Sequence, residues 1–166
     1  MRLVFGAALM VAAVLVQVTW APRLEVGGSY PNLALMAVIA ITWTMGVRAG
    51  LVWACLAGVL LDLTSSGPLG PHALALLAGA YITGFWTRNV ARDSPVHPAL
   101  AAAVSTALYS VILVGADDTL GLPVPPLGVA VQLVFAASVY NAVLMPIALF
   151  VVRKLQGPPP GRTEVA

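Results

Sequence analysis

Residues 46–64 read GVRAGLVWACLAGVLLDLT, with Arg48 near one end, Asp62 near the other and no charge between them. At about 1.5 Å per residue, an α-helix over this stretch measures about 28 Å, close to the hydrocarbon thickness of a bilayer. Small residues recur at every fourth position and lead to Asp62. Such residues let helix backbones approach closely in lipid. The stretch therefore predicts a membrane helix in the middle of a bundle, packed through Gly46, Gly50, Ala54 and Gly58.

The rest of the chain has the same apolar character. Of its 166 residues 60% are hydrophobic and 8% are charged, whereas a soluble domain has about 25% charged residues. This composition excludes a soluble globule, because too few polar side chains remain to cover its surface. Six stretches free of charge predict an all-α integral membrane protein with six transmembrane helices: 3–22, 26–47, 49–61, 63–87, 94–116 and 119–152.

The chain divides into two parts on the same grounds. Residues 1–154 hold all six predicted helices and form one transmembrane domain. Residues 155–166 include the run GPPPG, a composition typical of a disordered or extended tail. We therefore expect a single domain followed by a short disordered tail.

The basic residues predict the orientation in the membrane. If the connections alternate between the two sides, Arg23 is the one basic residue on its side. Because cytoplasmic loops are enriched in Lys and Arg, both termini are predicted to be cytoplasmic. The basic pI thus reflects orientation and contact with anionic lipid heads, and nothing in the sequence predicts nucleic-acid binding. Seven basic residues share the predicted cytoplasmic side: Arg2, Arg48, Arg88, Arg92, Arg153, Lys154 and Arg162.

Asp62 is the most informative charge, since an ionisable group at the end of a membrane helix is a candidate functional group. Three roles stay open for it: coupling or ligand binding, contact with a partner protein, and a structural cap. In the last role its carboxylate would accept hydrogen bonds from loop amides near Ser65, Ser66 and Gly67.

The sequence offers little for catalysis or metal binding. His72 has no second His or Cys at ligand spacing, and Cys55 is expected to be buried in mid-helix as a small apolar residue. The acidic pair Asp117 and Asp118 lacks a basic or metal partner. We therefore predict no catalytic residue, no metal and no cofactor, and a protein that is not an enzyme.

Several short motifs resemble the family of the rod-shape-determining membrane protein MreD. They are PNLAL at 31–35, RAG at 48–50, GVLLDL at 58–63, GPLGPHAL at 67–74 and GAY at 79–81. The resemblance implies a non-enzymatic, multi-pass protein of the bacterial cytoplasmic membrane that helps to maintain rod shape and to regulate peptidoglycan synthesis. It further implies binding to the single-pass protein MreC and, indirectly, to MreB and to the elongation transpeptidase and glycosyltransferase.

The same family resembles in fold the substrate-binding subunits of energy-coupling-factor vitamin transporters, which are compact six-helix bundles. Such a subunit is the alternative function for this chain. Polar, Gly and Pro residues are concentrated before helix 2 and after helix 3. We expect them to form a partner-binding surface or the mouth of a cavity: Pro31, Asn32, Asp62, Gly67, Gly70 and His72.

Overall fold

The computed structural model describes residues 2–25, 28–65, 67–90 and 96–156. Within these ranges the structure is helical and contains no β-strand, so the predicted all-α class is confirmed. A short 3-10 helix, Ala21–Leu24, follows the first α-helix. The α-helices are α1 (Arg2–Thr19), α2 (Leu33–Met45), α3 (Val47–Thr64), α4 (Pro71–Asn89), α5 (Val96–Thr119) and α6 (Leu127–Gln156).

Three of these helices are long and apolar enough to cross a membrane. They are α3 with 18 residues, α5 with 24 and α6 with 30. Two further apolar helical segments are shorter, namely residues 6–19 of α1 and the 13 residues of α2. The protein is therefore a membrane protein. Helix α6 continues two residues past the predicted domain limit at residue 154, and residues 157–166 of the predicted tail lie outside the described residues.

Successive helices run in opposite directions, which gives the bundle two ends. We call them the Gly46 end, where Gly46 alone joins α2 to α3, and the Asp62 end, where α3 stops and α4 starts. At the Gly46 end, Gln156 Nε2 donates to Thr44 Oγ1 at 3.0 Å. The last turns of α4 and α6 and the first turns of α1 and α3 bring five basic residues to this end: Arg2, Arg48, Arg88, Arg153 and Lys154. Arg92 and Arg162 lie outside the described residues.

The central helix of the bundle is α2, and the expectation that α3 occupies the middle is wrong. Every residue of α2 from Ala34 to Trp43 is buried. In contrast, α3 has an exposed face, which includes Cys55, expected to be buried. The reason is that a helix enclosed by protein and a helix facing lipid are both apolar, so composition does not separate them.

The small residues of α3 lie at close approaches to its neighbours. A Cβ atom added at Gly50 would overlap the Thr42 side chain of α2, and one added at Gly58 would overlap the backbone of Ala73 in α4. Ala54, between them, is completely buried. Gly46 differs, because an added Cβ would meet nothing within 4 Å and its φ is +93°. Its role is the tight turn between α2 and α3, since L side chains rarely adopt that backbone conformation.

Candidate functional site

A cavity of about 440 Å³ lies at the Asp62 end of the bundle, beyond the N-terminus of α2. Its origin is the length of α2, whose 13 residues span only about 20 Å. The surrounding helices extend further and leave a space that α2 does not fill. Five of the α-helices contribute to its lining, through Gln17 of α1, Leu61 of α3, His72 of α4, Tyr109 of α5 and Asn141 of α6, among others, and Asn32, which precedes α2, completes it.

Asn32 organises the floor of this cavity. Its Oδ1 accepts from the Leu35 backbone N–H at 2.9 Å and so caps α2, while its own backbone N–H donates to Asn141 Oδ1 at 3.0 Å. Asn141 is completely buried and donates from Nδ2 to Thr106 Oγ1 at 3.0 Å. Unpaired polar groups are costly inside a membrane protein. The network therefore lets the chain start a helix deep within the bundle.

Two further side chains hold the segment that enters α2. Gln17 Oε1 accepts from the Leu33 N–H at 2.6 Å. The buried Ser29 donates from Oγ to the Leu133 carbonyl at 3.0 Å. Helices α1 and α6 thus hydrogen-bond to residues 29–33 from two sides. Protein groups therefore supply hydrogen-bond partners for the non-helical backbone at this depth.

Asp62 caps the N-terminus of α4 from the end of α3. Its carboxylate is 2% exposed and accepts from the backbone N–H groups of Gly70, His72 and Ala73 at 2.9, 3.0 and 3.2 Å. The first N–H groups of a helix have no partner within it, and a carboxylate there also favours the helix dipole. Of the three roles left open for Asp62, the geometry shows capping. The described amides that donate to it belong to Gly70, His72 and Ala73, and the predicted Ser66 lies outside the described residues.

His72 links this cap to the cavity. Its Nδ1 lies 3.1 Å from Asp62 Oδ1, and its ring packs edge-on against Tyr109, with 6.1 Å between the centroids. Tyr109 and Asn32 line the same cavity. His72 therefore joins the cap of α4 to the cavity wall.

The six predicted site residues fall into three groups. Asn32 and His72 line the cavity. Pro31 and Asp62 are buried next to lining residues and do not line the cavity themselves. Gly67 and Gly70 are exposed on the connection between α3 and α4, outside the cavity, where Gly70 has φ +119°. The structure thus brings two of the six to the cavity and leaves two others as an outer loop.

Other cavity residues were not singled out from the sequence. Thr106 and Ser110 both line the cavity and are spaced by one helical turn along α5, and Ser29 precedes α2. The signal for Thr106 and Ser110 was their four-residue spacing, which places both hydroxyl groups on one face of α5. Across the described residues, no group of three or more His, Cys, Asp or Glu side chains could hold a metal ion.

The fold and the cavity define a helical membrane protein built around an enclosed short helix and a polar network at one end. The family described as rod shape-determining protein MreD matches residues 1–156 of the 166-residue chain. The chain belongs to the MreD family, which confirms the resemblance of its motifs and gives it a role in rod shape determination. That family is one of shape-determining proteins, not known as enzymes. No curated protein and no solved structure matches the chain.

Proposed function

We propose that this protein is a non-enzymatic subunit of the machinery for lateral cell-wall elongation, located in the bacterial cytoplasmic membrane, and that it binds MreC. Through MreC it acts on MreB and on the elongation transpeptidase and glycosyltransferase, and so regulates peptidoglycan synthesis. Membership of the MreD family over residues 1–156 is the observation that carries this proposal.

The proposed topology has six crossings with both termini in the cytoplasm. Five described basic residues at the Gly46 end and Arg23 near the opposite end support it, because Lys and Arg are enriched in cytoplasmic connections. Helix α2 is too short to cross alone. Its enclosure by protein on all sides removes that requirement, since non-helical backbone is tolerated at membrane depth where protein covers it.

The connection between α3 and α4 is the surface we propose for MreC. Leu69 on the connection and Leu74 in the first turn of α4 are 71% and 60% exposed. Asp62 is buried, so it takes part as a positioning residue that fixes the start of α4. This surface therefore offers two exposed leucine side chains next to a helix start that Asp62 fixes.

Co-purification with MreC tests this surface. Leu69→Ser and Leu74→Ser should lower the amount of MreC recovered with the protein and should fail to restore rod shape in cells lacking the native protein. Leu120→Ser is the matched control, because Leu120 is 55% exposed on the connection between α5 and α6 at the same end. Unchanged MreC recovery in both variants would exclude this surface as the contact. Absence of MreC from the wild-type preparation would overturn the proposed function itself.

The alternative function, a vitamin-binding subunit of an energy-coupling-factor transporter, has the cavity in its favour. At about 440 Å³ it lies within the range of about 300–1,000 Å³ typical of small-molecule sites. The proposed likeness of this bundle to such subunits rests on the cavity and on the six helices. Family membership favours the role in cell shape. A water-soluble vitamin released from the purified protein and identified by mass spectrometry would favour the alternative.

A further inference from the structure

The polar groups around the cavity leave donors facing it. A backbone N–H can only donate, so the side-chain atom that Leu33 N–H contacts must be the amide oxygen of Gln17. No described residue accepts from the NH₂ group of Gln17, which is therefore a donor on the cavity wall. Tyr109 and Ser110 add hydroxyl groups to the same lining. The cavity therefore suits a molecule rich in hydrogen-bond acceptors.

The lining carries no net charge that would select an anion. None of the described lining residues is Lys, Arg, Asp or Glu. His72 is the one imidazole among them, and its Nδ1 lies 3.1 Å from the carboxylate of Asp62. Phosphate groups are bound by unbalanced cations or clusters of free N–H groups. An uncharged polar group fits this lining better.

A second, apolar space lies on the outer side of the same helix pair. A groove of about 960 Å³ runs between α5 and α6, from Ala99 to Gly115 on α5 and from Leu127 to Val143 on α6. Its lining is almost entirely apolar and faces outward from the bundle. In a membrane this groove lies against the acyl chains.

The cavity and the groove meet between α5 and α6. Val114, Ala130 and Val134 line both spaces. Close to these residues, a Cβ atom added at Gly115 or Gly128 would meet nothing within 4 Å. The polar space inside the bundle and the apolar one outside it are therefore adjacent near the Asp62 end, with Val114, Ala130 and Val134 at their boundary.

We propose that the protein binds one membrane lipid with an uncharged, acceptor-rich polar head, which lies in the cavity while a hydrocarbon chain lies in the α5–α6 groove. A lipid is the ligand because only an amphiphile fills both compartments, and it enters from the bilayer by a passage between α5 and α6 at their shared boundary. Gln17, Tyr109 and Ser110 hold the head, and Ala130 lies at the passage. This site is distinct from the surface proposed for MreC and does not depend on it.

Photolabelling of the full chain in phosphatidylcholine vesicles tests the proposal. One probe is a diacylglycerol and the other a phosphatidylglycerol, each with the photoreactive group in an acyl chain. The expected result is that diacylglycerol labels α5 and α6 at least about fivefold more than phosphatidylglycerol, the factor that one hydrogen bond contributes. Equal labelling by the two probes, or labelling away from the groove, would overturn the proposal.

Two variants test the passage and the cavity separately. Ala130→Phe fills the passage, and Gln17→Glu keeps the oxygen that accepts from Leu33 N–H while removing the NH₂ donors. Both should reduce diacylglycerol labelling by about fivefold or more. Val129→Phe is the matched control, because Val129 is an exposed neighbour of Ala130 that lines neither space, and its labelling should equal that of the wild type.

If Ala130→Phe fails to fold, a third variant still tests the proposal. Gly115→Leu narrows the groove next to the passage from a position with open space around it, so the fold should tolerate it. Its thermal unfolding midpoint should match the wild type while labelling falls. Full labelling in a folded Gly115→Leu protein and full labelling in a folded Gln17→Glu protein would together overturn the proposal. So would a water-soluble molecule, in place of lipid, in the purified protein.

Discussion

One carboxylate oxygen of Asp62 receives both the backbone N–H of His72 at 3.0 Å and the imidazole Nδ1 of the same residue at 3.1 Å. The last turn of α3 thereby fixes both the start of α4 and the orientation of a side chain on the cavity wall. Both effects depend on a single buried group, which makes Asp62 the most sensitive position at this end of the bundle.

Replacement of Asp62 should destabilise the protein strongly. Asp62→Ala leaves the N–H groups of Gly70, His72 and Ala73 without their partner, and we expect a loss of at least about 2 kcal/mol. Asp62→Asn keeps one acceptor oxygen and should lose less. Reversible unfolding in mixed micelles, followed by circular dichroism, measures both.

His72→Ala is the control for this series, because it removes the ring contact and keeps the backbone N–H bond to Asp62. Its loss should be below about 1 kcal/mol. An Asp62→Ala protein as stable as wild type would show that the cap contributes nothing to stability.

Asn141 should be the most important polar residue of α6. Asn141→Leu removes the acceptor for Asn32 N–H and the donor to Thr106 in a fully buried position. Hydrogen bonds between membrane helices contribute about 0.6 kcal/mol on average and up to about 1.7. We expect a loss near the upper value, measured by the same unfolding assay.

Ser138→Ala provides the comparison on the same helix. The Ser138 hydroxyl oxygen is buried without a hydrogen-bond partner, so its removal should leave stability unchanged or slightly increased. If Asn141→Leu and Ser138→Ala changed the free energy of unfolding equally, the hydrogen bonds around Asn32 would contribute nothing to stability.

Glycine substitutions should distinguish close helix contacts from open positions. Gly58→Ala places a methyl group onto the Ala73 backbone, which cannot move without shifting α4. Overpacking of this kind costs about 1–3 kcal/mol. Gly115→Ala adds the same methyl group where nothing lies within 4 Å and should be neutral. Equal unfolding midpoints for the two variants would contradict the described approach of α3 to α4.

Enzyme fusions test the proposed topology. Alkaline phosphatase is active only outside the cytoplasm, so a fusion after Val90, beyond the end of α4, should be inactive. A fusion after Leu122, between α5 and α6, should be active. Activity at both positions, or the reverse pattern, would contradict six crossings with cytoplasmic termini.

The helices themselves were accessible from sequence because charges and breakers interrupt an otherwise apolar chain. The predicted helix at 46–64 is observed at Val47–Thr64, for instance. Which helix occupies the centre was not accessible. The ten buried residues of α2 and the exposed face of α3 are chemically alike, since lipid and a protein interior favour the same side chains.

The hydrogen-bond partners of the polar residues could be predicted from the sequence only in part. Asp62 stands out as a charge, but the amides it accepts from lie eight to eleven residues further along the chain. They reach it because Gly70 adopts φ +119°, a turn geometry that the order of residues does not specify. Asn32 and Asn141 are 109 residues apart, and only the packing of α2 against α6 brings them together.

The enclosure of α2 also has a mechanical meaning. Helix α6, with 30 residues, measures about 45 Å against a hydrocarbon core of about 30 Å, so it must tilt or project beyond the bilayer. A thicker or thinner membrane changes that tilt and acts on the outer helices. Residues 34–43 of α2 are buried within the protein, so a change in bilayer thickness does not act on them directly. The polar floor of the cavity therefore joins α2, which does not touch the lipid, to α6 through the hydrogen bond between Asn32 and Asn141.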